Sequence, residues 1–140
     1  MISLLTHSFV LFNLILGEPE TCDLRVRVSN IESDKGKIVV AIFDNEEDFL
    51  KKDFTNISIT IDSSDYIIFK GIPHGQYAVS IFHDENENGQ LDTNWLGVPT
   101  EKFGFSNNKL GMFGPPNFKD CLVHINEENE EVTIELKKIL

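Results

Sequence analysis

Apolar residues recur at every second position in short runs that turn residues cut off, and this alternation constrains the chain more than any other feature. Leu24, Val26 and Val28 alternate with Arg25, Arg27 and Ser29, and Ile57, Ile59 and Ile61 alternate with Ser58 and Thr60. Successive side chains leave a strand on opposite sides, so this period predicts strands with one buried face. Such strands belong at sheet edges or in outer positions. The runs GKIVVAIFD (36–44) and DYIIFKGI (65–72) are apolar on both faces, and QYAVSIFH (76–83) nearly so; these predict central strands. CLVHI (121–125) and EVTIELKKI (131–139) bring the total to seven strands, most of them joined by short Asp, Gly, Ser or Asn turns. NEEDFLKKD (45–53) carries the one helical signal, acids ahead of lysines as the helix dipole prefers, and predicts a connector of about two turns.

Seven short strands in 140 residues predict an all-β fold, a single seven-stranded Ig-like or transthyretin-like β-sandwich with one long Gly/Pro/aromatic loop. The length supports one core and is short for two full domains. The formal net charge of −11 argues against nucleic acid and against anionic membrane surfaces, which would repel the chain. An unknown protein or polysaccharide surface fits better. No internal repeat is visible. At the N-terminus an apolar run from Phe9 to Leu16 ends at Gly17 and gives way to Glu18, Pro19 and Glu20, the outline of a signal peptide over residues 1–17. The expectation is a secreted or periplasmic β-sandwich spanning 22–140, with no membrane insertion after signal cleavage. Residues 1–17 contain no Asp, Glu, Lys or Arg, so cleavage leaves the domain as acidic as before.

Between the fifth predicted strand and the long loop lies HDENENGQLDTNWLG (83–97). In a calcium loop, oxygen side chains at the first, third and fifth positions converge on the ion, a Gly at the sixth makes the bend, and the seventh offers its carbonyl. Asp84, Asn86, Asn88, Gly89 and Gln90 fill those places, and Asp92 stands at the ninth, where a ligand often acts through water. The twelfth position holds Trp95 instead of a bidentate Glu, and the loop leaves a strand, so this is no EF-hand. The bland alternative is a type I′ turn at Asn88-Gly89 with acids around it for solubility. A turn needs only the Asn-Gly pair and leaves Asp84, Asn86 and Asp92 unexplained, so a Ca2+ site of Asp84, Asn86, Asn88, Gln90 and Asp92 is the reading preferred, with the weak affinity that few carboxylates give.

The segment from Trp95 to Lys119 holds Trp95, Phe103, Phe105, Phe113 and Phe118 among Gly, Pro and Asn, with no strand or helix period. One reading is a stacking platform for a sugar ring or peptide built from Trp95, Phe103, Phe105, Asn107 and Phe113, with Asn108 and Glu101 as further polar anchors. The other, favoured here because a soluble chain does not readily expose so many aromatics, is a lid of phenylalanines over the core. The run YAVSIFHDENENGQLDTNWLGVPTEKFGFSNN followed by GMFGPPNFKD resembles the signature of an uncharacterised bacterial family, the domain of unknown function numbered twenty-one forty-one. The likeness rests on the HDEN…NG.LDTN, G.P.E..GFSNN and FGPP.F blocks in order and extends more loosely from Leu24 to Val123. It implies a secreted or periplasmic β-sandwich and no activity that can be carried over.

His83 falls on the same strand face as Val79 and Ile81, which predicts a ring packed at the sandwich rim with its nitrogens satisfied. Its rival is a small hydrolase using His83, Asp84 and Glu101, but no G-x-S-x-G, H-E-x-x-H or phosphate loop accompanies them. His74 sits in a turn, and His124 alternates away from Cys121, Val123 and Ile125 toward solvent. The two cysteines, Cys22 and Cys121, are expected to form a disulfide if the domain is secreted, and to be buried thiols otherwise.

Overall fold

The computed structural model describes residues 17–61 and 66–139, so the signal-peptide expectation for residues 1–17 falls, but for Gly17, outside the described residues. Among the described residues eight strands form where seven were expected: β1 (Thr21–Ser29), β2 (Lys37–Phe43), β3 (Thr55–Thr60), β4 (Tyr66–Pro73), β5 (Gly75–Asp84), β6 (Phe103–Phe105), β7 (Val123–Ile125) and β8 (Glu131–Glu135). They make two sheets. One has the order β4-β1-β8, and the other β3-β2-β5-β6 with β7 also paired to β5. Pairing is antiparallel except between β1 and β8, which run parallel with Val26 opposite Val132.

The main core lies between the sheets. Leu24 and Val26 of β1, Ile67 and Phe69 of β4, and Val132 and Ile134 of β8 meet Ile38, Val40 and Ile42 of β2 and Tyr77, Val79 and Ile81 of β5 in one buried cluster. A second cluster, Phe43, Ala78, Phe103, Phe105, Phe118 and Cys121, covers the opposite face of the five-stranded sheet. Tyr77, Val79 and Ile81 of β5 therefore serve one core and Ala78 and Phe82 the other, which is why β2 and β5 carry apolar residues on both faces. Burying a phenylalanine removes enough apolar surface to stabilise the fold by roughly 1.5–3 kcal/mol, so the three from residues 103–118 fasten this outer layer.

Three expectations are corrected. β1, read as an outer strand, is central in its sheet, while β4, read as central, is an edge strand with Ile68 exposed. Periodicity reports which faces are buried, whereas sheet position depends on pairing partners remote in sequence. Residues 45–53 form consecutive turns and no α-helix: Asn45 accepts from the Asp48 N–H at 2.9 Å, and Leu50 takes a left-handed φ of 60° that a helix cannot continue. Phe49 gains its burial there by standing edge-on to Phe43 and Phe118, with ring centroids 5.3 and 5.5 Å apart. Finally, the segment from Trp95 to Lys119 does contain a strand, β6, and two short 3-10 turns at Ser106–Asn108 and Phe118–Cys121. No helix among the described residues is long and apolar enough to cross a membrane.

Candidate functional site

Strand β5 ends at Asp84, whose side chain is only 2% exposed, and the chain there enters a tightly folded loop. Gly36 makes the entry possible. A Cβ at that position would stand 2.1 Å from the Asp84 carbonyl oxygen, so the segment before β2 can lie against the loop only without a side chain. The Asp84 carboxylate accepts the Asn88 N–H at 3.1 Å and the Gly89 N–H at 2.8 Å. Glu101, also buried, accepts the Glu85 N–H and the Asp92 N–H, each at 3.0 Å, and so ties the two ends of the loop together.

Around this scaffold the polar ends of the loop converge. Asn86 Nδ2 donates to Asp92 Oδ2 at 2.5 Å and Asn88 Nδ2 donates to Asp92 Oδ1 at 2.8 Å, so the Asp92 carboxylate is held between two amides. Asn86 Oδ1 accepts the Asn88 N–H at 3.2 Å, and Asn88 Oδ1 accepts the Gln90 N–H at 2.9 Å. Left-handed residues make the bends, Glu87 at φ 57° and Gly89 at φ 78°. Asn88 itself is not left-handed, so the type I′ turn, which needs two successive left-handed residues, is not what forms here. Nor does the loop close a hairpin directly, since β6 begins only at Phe103.

A hard cation prefers oxygen donors, and Asp84, Asn86, Asn88 and Asp92 supply them within one loop, with the Gln90 carbonyl available from the backbone. The donor set fits calcium in residue type, while both oxygens of Asp84 and of Asp92 here accept N–H groups of the loop itself. It is poor in charge: among the described residues no three His, Cys, Asp or Glu side chains gather as a metal site.

His83 is fully buried, and its Nε2 donates to the Lys35 carbonyl at 2.6 Å. Its Nδ1 has no hydrogen-bond partner, and the Glu85 carboxylate stands 3.9 Å away. The expected ring with both nitrogens satisfied is thus half realised. His83, Asp84 and Glu101 share the rim of the sheet without forming a relay, because the imidazole bonds to backbone and both carboxylates are engaged by backbone N–H groups. His124 is exposed, as its alternation predicted.

The proposed aromatic platform divides. Phe103 and Phe105 are buried in the second cluster as a lid, while Trp95 is 90% exposed and Phe113 fully exposed. Asn107 is spent on the backbone, donating to the carbonyls of Asp120 and Leu122 at 3.1 and 2.9 Å. Trp95 sits at the tip of a small turn knit by Asn94, whose Oδ1 accepts the N–H groups of Leu96 and Val98 and whose N–H reaches the Val98 carbonyl. At the base of this turn the Thr100 N–H and hydroxyl both donate to the Asp92 carbonyl, so the Trp95 turn is built on a residue of the candidate cation loop.

Ser106 was not singled out by sequence, yet it is fully buried and bridges two elements. It accepts the Val79 N–H at 2.9 Å and donates to the Cys121 carbonyl at 2.5 Å. Its one sequence signal is the small polar run after Phe103-Gly104-Phe105. Lys102 was missed as well; it is buried, with Nζ bound to the Asn30 carbonyl at 3.0 Å and to Glu32 at 2.7 Å, an ion pair that holds the Glu32 carboxyl below its usual range.

The Cys22–Cys121 disulfide is not formed, and both thiols are free and buried. Cys22 belongs to the core between the sheets and Cys121 to the cluster outside the five-stranded sheet, so strand β5 stands between them. Burial, and then Asp120, pushes the Cys121 thiol up to about 11; burial raises Cys22 too, with Glu130, Asp23 and Glu127 adding to it.

No curated protein and no solved structure matches the chain. One family does, over residues 26–133, a span that includes the loop, the Trp95 turn, β6 and the whole of the second cluster. The chain belongs to the bacterial family described as "Uncharacterized protein conserved in bacteria (DUF2141)".

Proposed function

We propose that this chain is a secreted or periplasmic binding module, an Ig-like or transthyretin-like β-sandwich whose loop 84–92 takes up calcium and thereby stiffens the surface it presents to a protein or polysaccharide. The observation that carries this reading is the closing of the Asn86 and Asn88 side chains on the Asp92 carboxylate, above a loop backbone that Asp84 holds by the Asn88 and Gly89 N–H groups, with Asp92 doubling as the foot of the Trp95 turn. In a β-protein with 23 acids, residues 93–117 hold a single acid, the buried Glu101, and carry the four most exposed large apolar side chains among the described residues, Trp95, Leu96, Met112 and Phe113. A neutral partner can approach there without stripping water from carboxylates. Calcium supplies charge neutralisation of Asp84 and Asp92; the chain's own residues supply the scaffold. Calorimetric melting decides the first half: calcium binding to the folded state alone raises the melting temperature by mass action, and the shift is largest at millimolar calcium because sites of this charge bind weakly. Identical melting in calcium and in chelator would remove the ion from the proposal.

The hydrolase reading has less to stand on, since His83 Nε2 is bound to the Lys35 carbonyl and the Asp84 and Glu101 carboxylates to backbone N–H groups.

A further inference from the structure

Asn88-Gly89 is the chain's single Asn-Gly pair. Asparagine before glycine is chemically the least protected amide in a polypeptide, because a following residue with no Cβ leaves its backbone nitrogen free to reach the asparagine Cγ. In this structure three hydrogen bonds oppose that approach. The Gly89 N–H is held by Asp84 Oδ2 at 2.8 Å, and the amide of Asn88 is held at both ends, Nδ2 by Asp92 Oδ1 at 2.8 Å and Oδ1 by the Gln90 N–H at 2.9 Å. The buried Asp84 carboxylate also places negative charge beside the nitrogen that must lose its proton, which disfavours the anion.

We propose that Asn88 is a self-modifying position whose rate is set by the hold of Asp84 on the Gly89 N–H. When that hold opens, the Gly89 nitrogen gives its proton to solvent and forms a bond to Asn88 Cγ. The Cγ–Nδ2 bond breaks, and ammonia leaves with the proton it needs. The resulting succinimide takes up one water: opening at Cγ gives aspartate at position 88, and opening at the backbone carbonyl gives isoaspartate, with the chain rerouted through Cβ. Nothing is oxidised or reduced. Either product ends the Asn88-to-Asp92 hydrogen bond and sets a second carboxylate against Asp92, and isoaspartate also adds a methylene to a loop with no slack. The event is therefore a one-way change in the candidate cation loop, and it follows from the hydrogen bonds of the chain itself, with or without an ion.

The test is peptide mass spectrometry of the segment containing residue 88, with released ammonia measured in parallel, on the full chain incubated folded and incubated in denaturant. Breaking a hydrogen bond to a charged group before attack should make the folded chain at least roughly tenfold slower than the unfolded one. Equal rates in the two states would overturn the proposal. Asp84→Asn, checked as folded by circular dichroism, assigns the lock: conversion rising toward the unfolded rate supports it, and a rate unchanged from the native chain overturns the role of Asp84. If Asp84→Asn does not fold, Asp84→Glu, which keeps the charge but misplaces it, takes its place under the same two outcomes. Asn88→Gln, which removes the five-membered ring closure, must show no conversion at 88 in either state.

Discussion

Replacing Asp84 by Asn keeps the volume of the side chain and removes its charge, which isolates what the carboxylate does at the end of β5. In the native loop both oxygens accept backbone N–H groups, from Asn88 at 3.1 Å and from Gly89 at 2.8 Å. An amide retains one acceptor and turns an NH2 toward the other donor, so one charged hydrogen bond becomes neutral and one is lost. Hydrogen bonds to charged groups contribute about 1.5–3 kcal/mol, and an orphaned buried donor costs about 1–3 kcal/mol. Asn88 and Gly89 are themselves exposed, so water recovers part of that cost. The expected loss is therefore about 2–3 kcal/mol, read as a lower urea midpoint at unchanged slope. The calcium arm is separate: at about a hundredfold excess over the dissociation constant, binding adds ~2.7 kcal/mol to the native chain, and Asp84→Asn should lose most of that increment. A variant as stable as the parent in chelator would refute the scaffold argument, and a variant with the full calcium increment would refute the ligand argument.

Phe105→Ala should cost about 3–5 kcal/mol, as for other buried phenylalanines, because its ring lies 6.0 Å from Phe103 and 6.3 Å from Phe49 in the second cluster; a loss under about 1 kcal/mol by urea unfolding would contradict its place in the lid. Trp95→Ala should leave stability within about 0.5 kcal/mol while abolishing retention of whatever polymer or protein the parent chain retains; equal retention by the variant would clear Trp95 of any contact role. Cys22 and Cys121 should resist alkylation in the folded chain and both react once it is unfolded, and a parent chain with no titratable thiol in denaturant would restore the disulfide. Because the Cys121 thiol is raised in the fold, the folded chain holds its proton where the unfolded chain has released it. Stability should fall as pH rises from the ordinary thiol value of 9.0 through about 11, and Cys121→Ala should flatten that slope.

Much of the fold was legible in the alternation of apolar residues. Six of the eight strands fall where the period of two or a continuous apolar run placed them, and β7 where CLVHI did, because burial on one face or both is written in which positions are apolar. The sequence also carried the spacing of Asp84, Asn86, Asn88 and Asp92; the tertiary structure sets the Asn86 and Asn88 amides on Asp92 and the Asp84 carboxylate on the Asn88 and Gly89 N–H groups. Pairing was not legible: β1 became central by taking β8 in parallel from more than a hundred residues away, and no local period encodes such a partner. β6 escaped notice because Phe103-Gly104-Phe105 is too short for a period, and its burial comes from Ser106, Phe118 and Cys121 closing over it. Pattern likewise could not sort the aromatics, since Phe105 and Phe113 stand in similar Gly-rich contexts and only packing decides that one lies under the lid and the other in water. The cysteines make the same point most sharply. Their pairing depended on which side of β5 each would occupy, and a sheet one strand thick keeps two buried thiols in separate cores.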